Sequence, residues 1–221
     1  MGGSLCTCLC REKLIPENHS GGSDIHGFAV AKNDREKMED AVDHRDNLCG
    51  WRYYACFDGH GGDRAVALVK TRLPVVLEEQ LKVEEDVESA LRAAFSSVDA
   101  EVSAVLVEEA EEAKQIGITS GTTACVTLWK GSEAFVANLG DSRAIVSVDG
   151  AAQPITTDHA PEKSEDEAKR LQDLGVEVRK GYVAGLVAVS RAFGDVRLET
   201  KAKVEGLLAS PDIFRIDIDS K

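Results

Sequence analysis

Positive charge is scarce in this sequence: 26 Lys and Arg stand against 39 Asp and Glu, for a net charge of −13. No basic face can be assembled from such a chain, and an acidic surface repels a phosphate backbone, so nucleic acid is excluded as a partner. The deficit is local, because 78–114 alone carries −9 and everything else only −4. Long apolar runs are missing too. No stretch approaches the ~18 apolar residues of a membrane-spanning helix, and 1–10 has neither the basic start nor the apolar core of a secretory signal. An intracellular, cytoplasmic protein is expected. A disulfide framework is also absent: Cys6, Cys8 and Cys10 crowd the N-terminus, while Cys49, Cys56 and Cys125 are scattered singly.

What is present suits one domain with a real core. A chain of 221 residues with 43% hydrophobic content buries roughly 70 to 75% of its unfolded surface. Residues 1–23 hold the clustered cysteines, Pro16 and Gly21-Gly22-Ser23, and read as a flexible leader before a folded domain over 24–221. Met1-Gly2-Gly3-Ser4-Leu5-Cys6 is similar to an N-myristoylation start, with Cys where Ser or Thr is usual. One such chain on Gly2 anchors only marginally, at about 10⁴ M⁻¹, so palmitoylation of Cys6, Cys8 or Cys10 would supply the second anchor for peripheral membrane association. An unmodified leader and soft-metal binding by Cys-x-Cys-x-Cys are the alternatives.

Strands are expected at 28–31 and 51–57, and a helix over 64–82 that Pro74 interrupts or restarts. Over 84–113, Val87, Leu91, Phe95, Val98, Val102, Val105 and Leu106 make a helical stripe backed by the acidic surplus, which reads as a solvated face. The period then changes. Short runs at 122–129, 133–138 and 143–148, punctuated by Lys130-Gly131 and Asp149-Gly150, signal hairpins. Ser164 and Glu167 form a capping box for a helix through Leu174 with Gly175 as its stop, and a strand is expected at 186–189. Helices grouped between hairpin-linked strands indicate an α+β layered domain.

Chemistry concentrates at Asp58-Gly59-His60-Gly61-Gly62, which follows an apolar strand. Upstream lies Arg35-Glu36-Lys37-Met38-Glu39-Asp40, and a short fold-back would bring three carboxylates and a guanidinium together. Clustered acids raise one another's pKa unless a cation neutralises them, and carboxylate plus carbonyl oxygen is the ligand set of Mg²⁺ or Mn²⁺. A plain polar turn is the competing reading of the same residues.

Four further turns recur at strand ends: Ser120-Gly121-Thr122-Thr123, Asn138-Leu139-Gly140-Asp141-Ser142-Arg143, Thr157-Asp158-His159 and Ser190-Arg191-Ala192-Phe193-Gly194-Asp195. With the two clusters above, their order and spacing resemble the metal-dependent serine/threonine protein phosphatases of the PPM, or type-2C, family, over about residues 25–214. The resemblance implies a four-layer α-β-β-α sandwich of two antiparallel sheets flanked by helices, a monomer, and a pair of Mg²⁺ or Mn²⁺ ions at one end. It implies phosphorylated proteins as substrates, attacked by a water whose pKa the ions lower. Carried over, Asp58 would bridge both ions, the Gly59 carbonyl and the Glu39 side chain would hold one of them, Asp40 would hold metal-bound waters, and Asp141 would serve a further, weaker site. Arg35 would grip phosphate with its planar fork, and His60 would protonate the leaving oxygen. The other matched turns would brace strand ends.

The family pattern continues past Pro211-Asp212-Ile213 into an Asp-Gly-x-Trp-Asp segment and an Asp-Asn pair that this sequence does not contain. A sandwich incomplete at its C-terminus is therefore expected, with only Asp58 left for the first ion. Two functions stay open: a phosphatase, or a catalytically impaired module that binds phosphoproteins or competes with an active relative.

Overall fold

The computed structural model describes residues 27–31 and 34–218. Its first hairpin joins β1 (Asp40–Leu48) to β2 (Trp51–His60). The two-residue turn is Cys49-Gly50, with φ of 52° and 85°, the left-handed pair that matches strand twist in a type I′ hairpin. The strand expected at 28–31 is not formed. Those residues are irregular and exposed, with Phe28 lying against the His44 ring at 6.0 Å. The true partner of β2 is polar β1, an edge strand whose outward half carries no apolar alternation to betray it.

Helix α1 (Arg64–Val83) runs unbroken through Pro74. The interruption expected there is overridden because Leu73, Pro74, Val76 and Leu77 are all buried, and packing of that face outweighs the ~3 kcal/mol an interior proline costs. Helix α2 (Val87–Glu112) is capped by Asp86, whose side chain accepts from Ser89 N–H at 2.8 Å. It buries the expected stripe except Val87 and Val105, which are only partly covered. Most of its acids face outward, where Glu101 meets Arg72 and Glu109 meets Arg64, while Asp99 turns in to Gly194 N–H and Lys203.

Strands β3 (Gly121–Thr122), β4 (Ala124–Lys130) and β5 (Glu133–Leu139) follow. The β6 (Ile145–Val148) and β7 (Ala151–Pro154) hairpin turns at Asp149-Gly150, with φ of 52° and 80°. Helix α3 (Glu165–Asp173) starts at Ser164, whose Oγ accepts from Glu167 N–H. It ends in a Schellman motif: Gly175 at φ 71° donates to Gln172 O, and Val176 donates to Leu171 O. The return half of the capping box is not made, because the Glu167 side chain is turned into the interior.

The remainder is short: β8 (Val178–Arg179), β9 (Tyr182–Val183), β10 (Phe193–Gly194), β11 (Val196–Arg197), β12 (Ala202–Lys203) and β13 (Asp212–Asp217). Over 186–189 the expected strand reduces to one bridge, Val187 to Val183.

A seven-stranded sheet runs β10-β3-β2-β4-β5-β13, with β1 on the other side of β2. One face packs on α1 and α2: Tyr53, Phe57, Val126, Leu128 and Leu139 meet Leu73, Leu77, Leu91 and Phe95. The fold is α+β with antiparallel sheets and flanking helices. Beyond the large sheet and its helical layer, the described strands form three two-stranded ribbons, β6-β7, β8-β9 and β11-β12. A smaller core of Leu171, Val176, Val183, Val187, Val204 and Leu207 gathers beside α3.

Candidate active site

Alternation along β2 sends Ala55 and Phe57 into the helix-backed core and Asp58 and His60 to the opposite face. The hairpin register then sets Asp40 directly across from Asp58. Gly59 N–H donates to Glu39 O at 3.1 Å, and a Cβ on residue 59 would stand 2.4 Å from that oxygen. Only glycine allows this approach. Because both polar groups of a strand residue point to the same side, the Gly59 carbonyl also faces the β1 edge.

A hydroxyl ladder brings the third acid. Thr123 N–H donates to Asp58 O at 2.9 Å, Thr123 Oγ1 accepts from Asp58 N–H, and the same hydroxyl meets Ser142 Oγ at 2.7 Å. Gly140, at φ 100°, lets the loop close on Thr123, where a Cβ would come within 2.5 Å of Cγ2. Asp141 is thereby carried toward Asp58. The loop is locked from behind: Gly140 N–H donates to His159 Nδ1, which leaves Nε2 to donate to Asp212. Asp158 accepts from Arg143 and Lys163, and Lys163 Nζ also stands 4.0 Å from Asp141.

Burial, then repulsion from Asp40 and Asp141, pushes the Asp58 carboxyl up to about 6, with the His60 charge pulling the other way and a hydrogen bond to Asp40 adding to the rise. Asp58 thus keeps its proton up to about pH 6, and above that its charge is one a cation would relieve. Among the described residues, no three His, Cys, Asp or Glu side chains converge tightly enough to enclose a metal ion by themselves. Two carboxylates and a backbone carbonyl nevertheless fit Mg²⁺ or Mn²⁺, since Mg²⁺ takes one or two carboxylates and keeps several waters.

The remaining expected residues are placed less tightly. Arg35 lies exposed in the irregular segment before β1 and has no hydrogen bond or ion pair among the described residues. The contact seen for Glu39 is through its main-chain oxygen; the third acid acting on Asp58 is Asp141. Gly2, Cys6, Cys8 and Cys10 lie outside the described residues.

His60 is held by a residue that sequence reasoning assigned only to strand bracing. Its Nε2 lies 2.9 Å from both carboxylate oxygens of Asp195. Burial works to lower the His60 pKa, but the Asp195 hydrogen bond and charge, with Asp58 and Asp141 behind, raise it above its ordinary value. Ser120, expected only to brace a strand end, also reaches α1: its Oγ accepts from Ala65 N–H at the start of that helix, where Asp63 makes no side-chain cap.

Comparison with known proteins gives these residues a setting. The family model described as protein phosphatase 2C matches residues 19–221. Probable protein phosphatase 2C 59 of Oryza sativa subsp. japonica is 35% identical over 207 residues, covering 91% of this chain and 59% of that protein. Probable protein phosphatase 2C 11 of Arabidopsis thaliana is 33% identical, with 88% and 51% covered. The chain thus spans little more than half the length of these curated relatives. Among solved structures, a C. elegans sex determining protein aligns with a TM-score of 0.70 at 25% identity, over 84% of this chain and 46% of that one. A serine-threonine phosphatase 2C from Toxoplasma gondii shares the fold, with a TM-score of 0.64 at 20% identity, over 84% and 71%.

Proposed function

Because the chain belongs to the protein phosphatase 2C family, we propose that it hydrolyses phosphoserine and phosphothreonine in proteins with the help of Mg²⁺ or Mn²⁺. The observation that supports this reading is Asp40 set directly across from Asp58, with Asp141 near enough to help push the Asp58 carboxyl up to about 6. Asp58, the Glu39 side chain and the Gly59 carbonyl would hold the metal, Asp40 would hold its waters, and Asp141 would serve a weaker site at the margin. When bound, the metal supplies a water of lowered pKa as the nucleophile.

The chain's own residues do the rest. His60, beside the acids and partly open to solvent, gives a proton to the departing serine or threonine oxygen. Arg35 lies exposed, four residues before Glu39 in the irregular segment ahead of β1, and its guanidinium would take two phosphate oxygens. Gly59 and Gly140 keep β1 and the Asp141 loop close enough for the acids to act together. The leader adds a location: acylation of Gly2 with Cys6, Cys8 or Cys10 would hold the enzyme at a cytoplasmic membrane surface. Gly2→Ala should then shift the protein to the soluble fraction, and an unchanged distribution would remove that part.

The test of the activity is a phosphoserine-peptide assay with and without Mn²⁺, with Asp58→Asn as the control. Mn²⁺-dependent release of phosphate, lost by at least 10²-fold in the variant, is expected. Equal turnover by both proteins, or turnover indifferent to chelation, would contradict the reading.

A further inference from the structure

We propose that Asp195 is the positioning residue of His60: it commits Nε2–H to a buried carboxylate and leaves Nδ1 as the nitrogen that serves the leaving oxygen. The inference rests on the reading of His60 as general acid given above. Four observations carry it.

The Asp195 side chain is wholly buried, and among the described residues no Lys or Arg is paired with it. A buried carboxylate without a partner is strongly disfavoured, so the group facing it matters. Among the described residues that group is His60 alone: both Asp195 oxygens lie 2.9 Å from Nε2, and neither takes a backbone N–H. A carboxylate whose task was to pin a loop would accept from main-chain donors, as Asp99 does from Gly194 N–H at 2.9 Å.

The backbone is arranged around this contact. Asp195 is one of few non-glycine residues with a left-handed conformation, at φ 53°, a placement that persists only where the surroundings enforce it. Its N–H donates to Ser120 O and its carbonyl accepts from Val204 N–H. The preceding Gly194, at φ 76°, lies so close to Ser120 O that a Cβ would stand 2.5 Å away. Lys203 then closes the loop by donating to both Asp99 and Gly194 O.

Room for the dyad comes from Gly121 on β3. A Cβ there would stand 2.2 Å from Asp195 Oδ2 and 2.5 Å from His60 Nε2. Gly121 pairs with His60 across the β2 to β3 ladder and with Gly194 on its other side. The missing side chain is therefore the space in which imidazole and carboxylate meet.

With Nε2–H so held, the other ring nitrogen is the one that exchanges protons, since a hydrogen bond at one nitrogen sets the role of its neighbour. In hydrolysis a water oxygen bonds to phosphorus, the ester P–O bond breaks, and the Nδ1 proton passes to the serine or threonine oxygen. The ring returns to its neutral Nε2–H form and is reprotonated from solvent, while the water's proton leaves with phosphate or solvent.

The test uses the full chain labelled with ¹⁵N-histidine, the His60 ring signals being identified by their loss in His60→Gln. Long-range ¹H–¹⁵N spectra should show a slowly exchanging Nε2–H and an unprotonated Nδ1 in the neutral ring. Asp195→Asn and Gly121→Ala should each abolish the slow Nε2 proton, the second without removing either partner. A neutral ring protonated at Nδ1, or an unaltered Nε2–H in a folded Asp195→Asn or Gly121→Ala protein, would overturn the assignment. In turnover, Asp195→Asn should lose about 10²-fold in kcat on a phosphoserine peptide and less than tenfold on p-nitrophenyl phosphate, whose leaving group needs no proton. Equal losses on both substrates would also overturn it. A wild-type chain without turnover would count against the proposed function, and the ring spectra would still decide the role of Asp195.

Discussion

Around Phe57 and Phe95 the interior is built of apolar side chains, the Tyr53 hydroxyl aside, whereas around Glu167 it is organised by charge. In the helix-backed sheet, large side chains from three central strands meet two long helices, and the stripe on α2 supplies a contact at every turn. Beside α3 the apolar core is only a handful of Val, Leu and Ala residues, and the strands there are two residues long. Glu167, almost fully buried, instead accepts from Ser190, Arg170 and Arg191, and Arg191 reaches on to Asp212, which takes His159. Burial would raise Glu167, but those donors hold it down at about 2; Asp212 is held at about 2 chiefly by His159. The site lies where the two regimes meet, with Asp58 on the apolar sheet and Asp141 on a loop that the His159 contact fixes.

The largest effect should come from the apolar side. Phe95, fully buried and 5.1 Å from the Phe193 ring, should cost about 3 to 5 kcal/mol as Phe95→Ala, read as a lower urea midpoint for the whole domain. A loss under about 1 kcal/mol would mean that this core is not what carries stability. On the charged side, Glu167→Ala leaves Arg170 and Arg191 facing each other without their common acid, at about 3 kcal/mol. Its signature should be local: hydrogen-exchange protection falls over 164–192 while α1 and α2 keep theirs. Uniform loss of protection would erase the distinction between the regions.

The smallest effect is one of sign. Glu167 is lowered from 4.5 to about 2 and Asp212 from 3.8 to about 2, so what they contribute is complete above pH 4.5 and lost as pH falls towards 2. Asp58 is raised from 3.8 to about 6, so its contribution is present below 3.8 and lost as pH rises through 6. The metal-free protein should therefore be firmer at its acid cluster near pH 4 and weaker there at pH 7. At pH 7, metal-free Asp58→Asn should be more stable than wild type by about 1 to 2 kcal/mol, and the gain should shrink below pH 4. Thermal melts across that range check it, and a variant destabilised at pH 7 would contradict it.

What could be read from the sequence follows the same divide. Where one face is buried by long elements, periodicity exposes them: the α2 stripe, β4 and β5 stand near their expected places, and Gly175 ends α3 as its position suggests. Polar β1 and the two-residue strands carry no such period, because single hydrogen bonds and pairing partners define them. The acids Asp40 and Asp58 were legible because they end recognisable segments. Asp195 was not, since its meaning depends on a histidine 135 positions away and on a glycine in a third strand. Glu167 shows the same limit: its spacing from Ser164 announces a cap, while its side chain serves the interior.

The central claim is that Asp58 sits among acids arranged for a divalent cation, and calorimetric titration of Mn²⁺ into the full chain tests it most directly. Wild type should bind with an affinity that Asp58→Asn weakens by at least tenfold, about 1.4 kcal/mol, while Asp173→Asn, on the far turn of α3, leaves it as it was. Identical Mn²⁺ isotherms for wild type and Asp58→Asn would contradict the assignment of this cluster as the metal site.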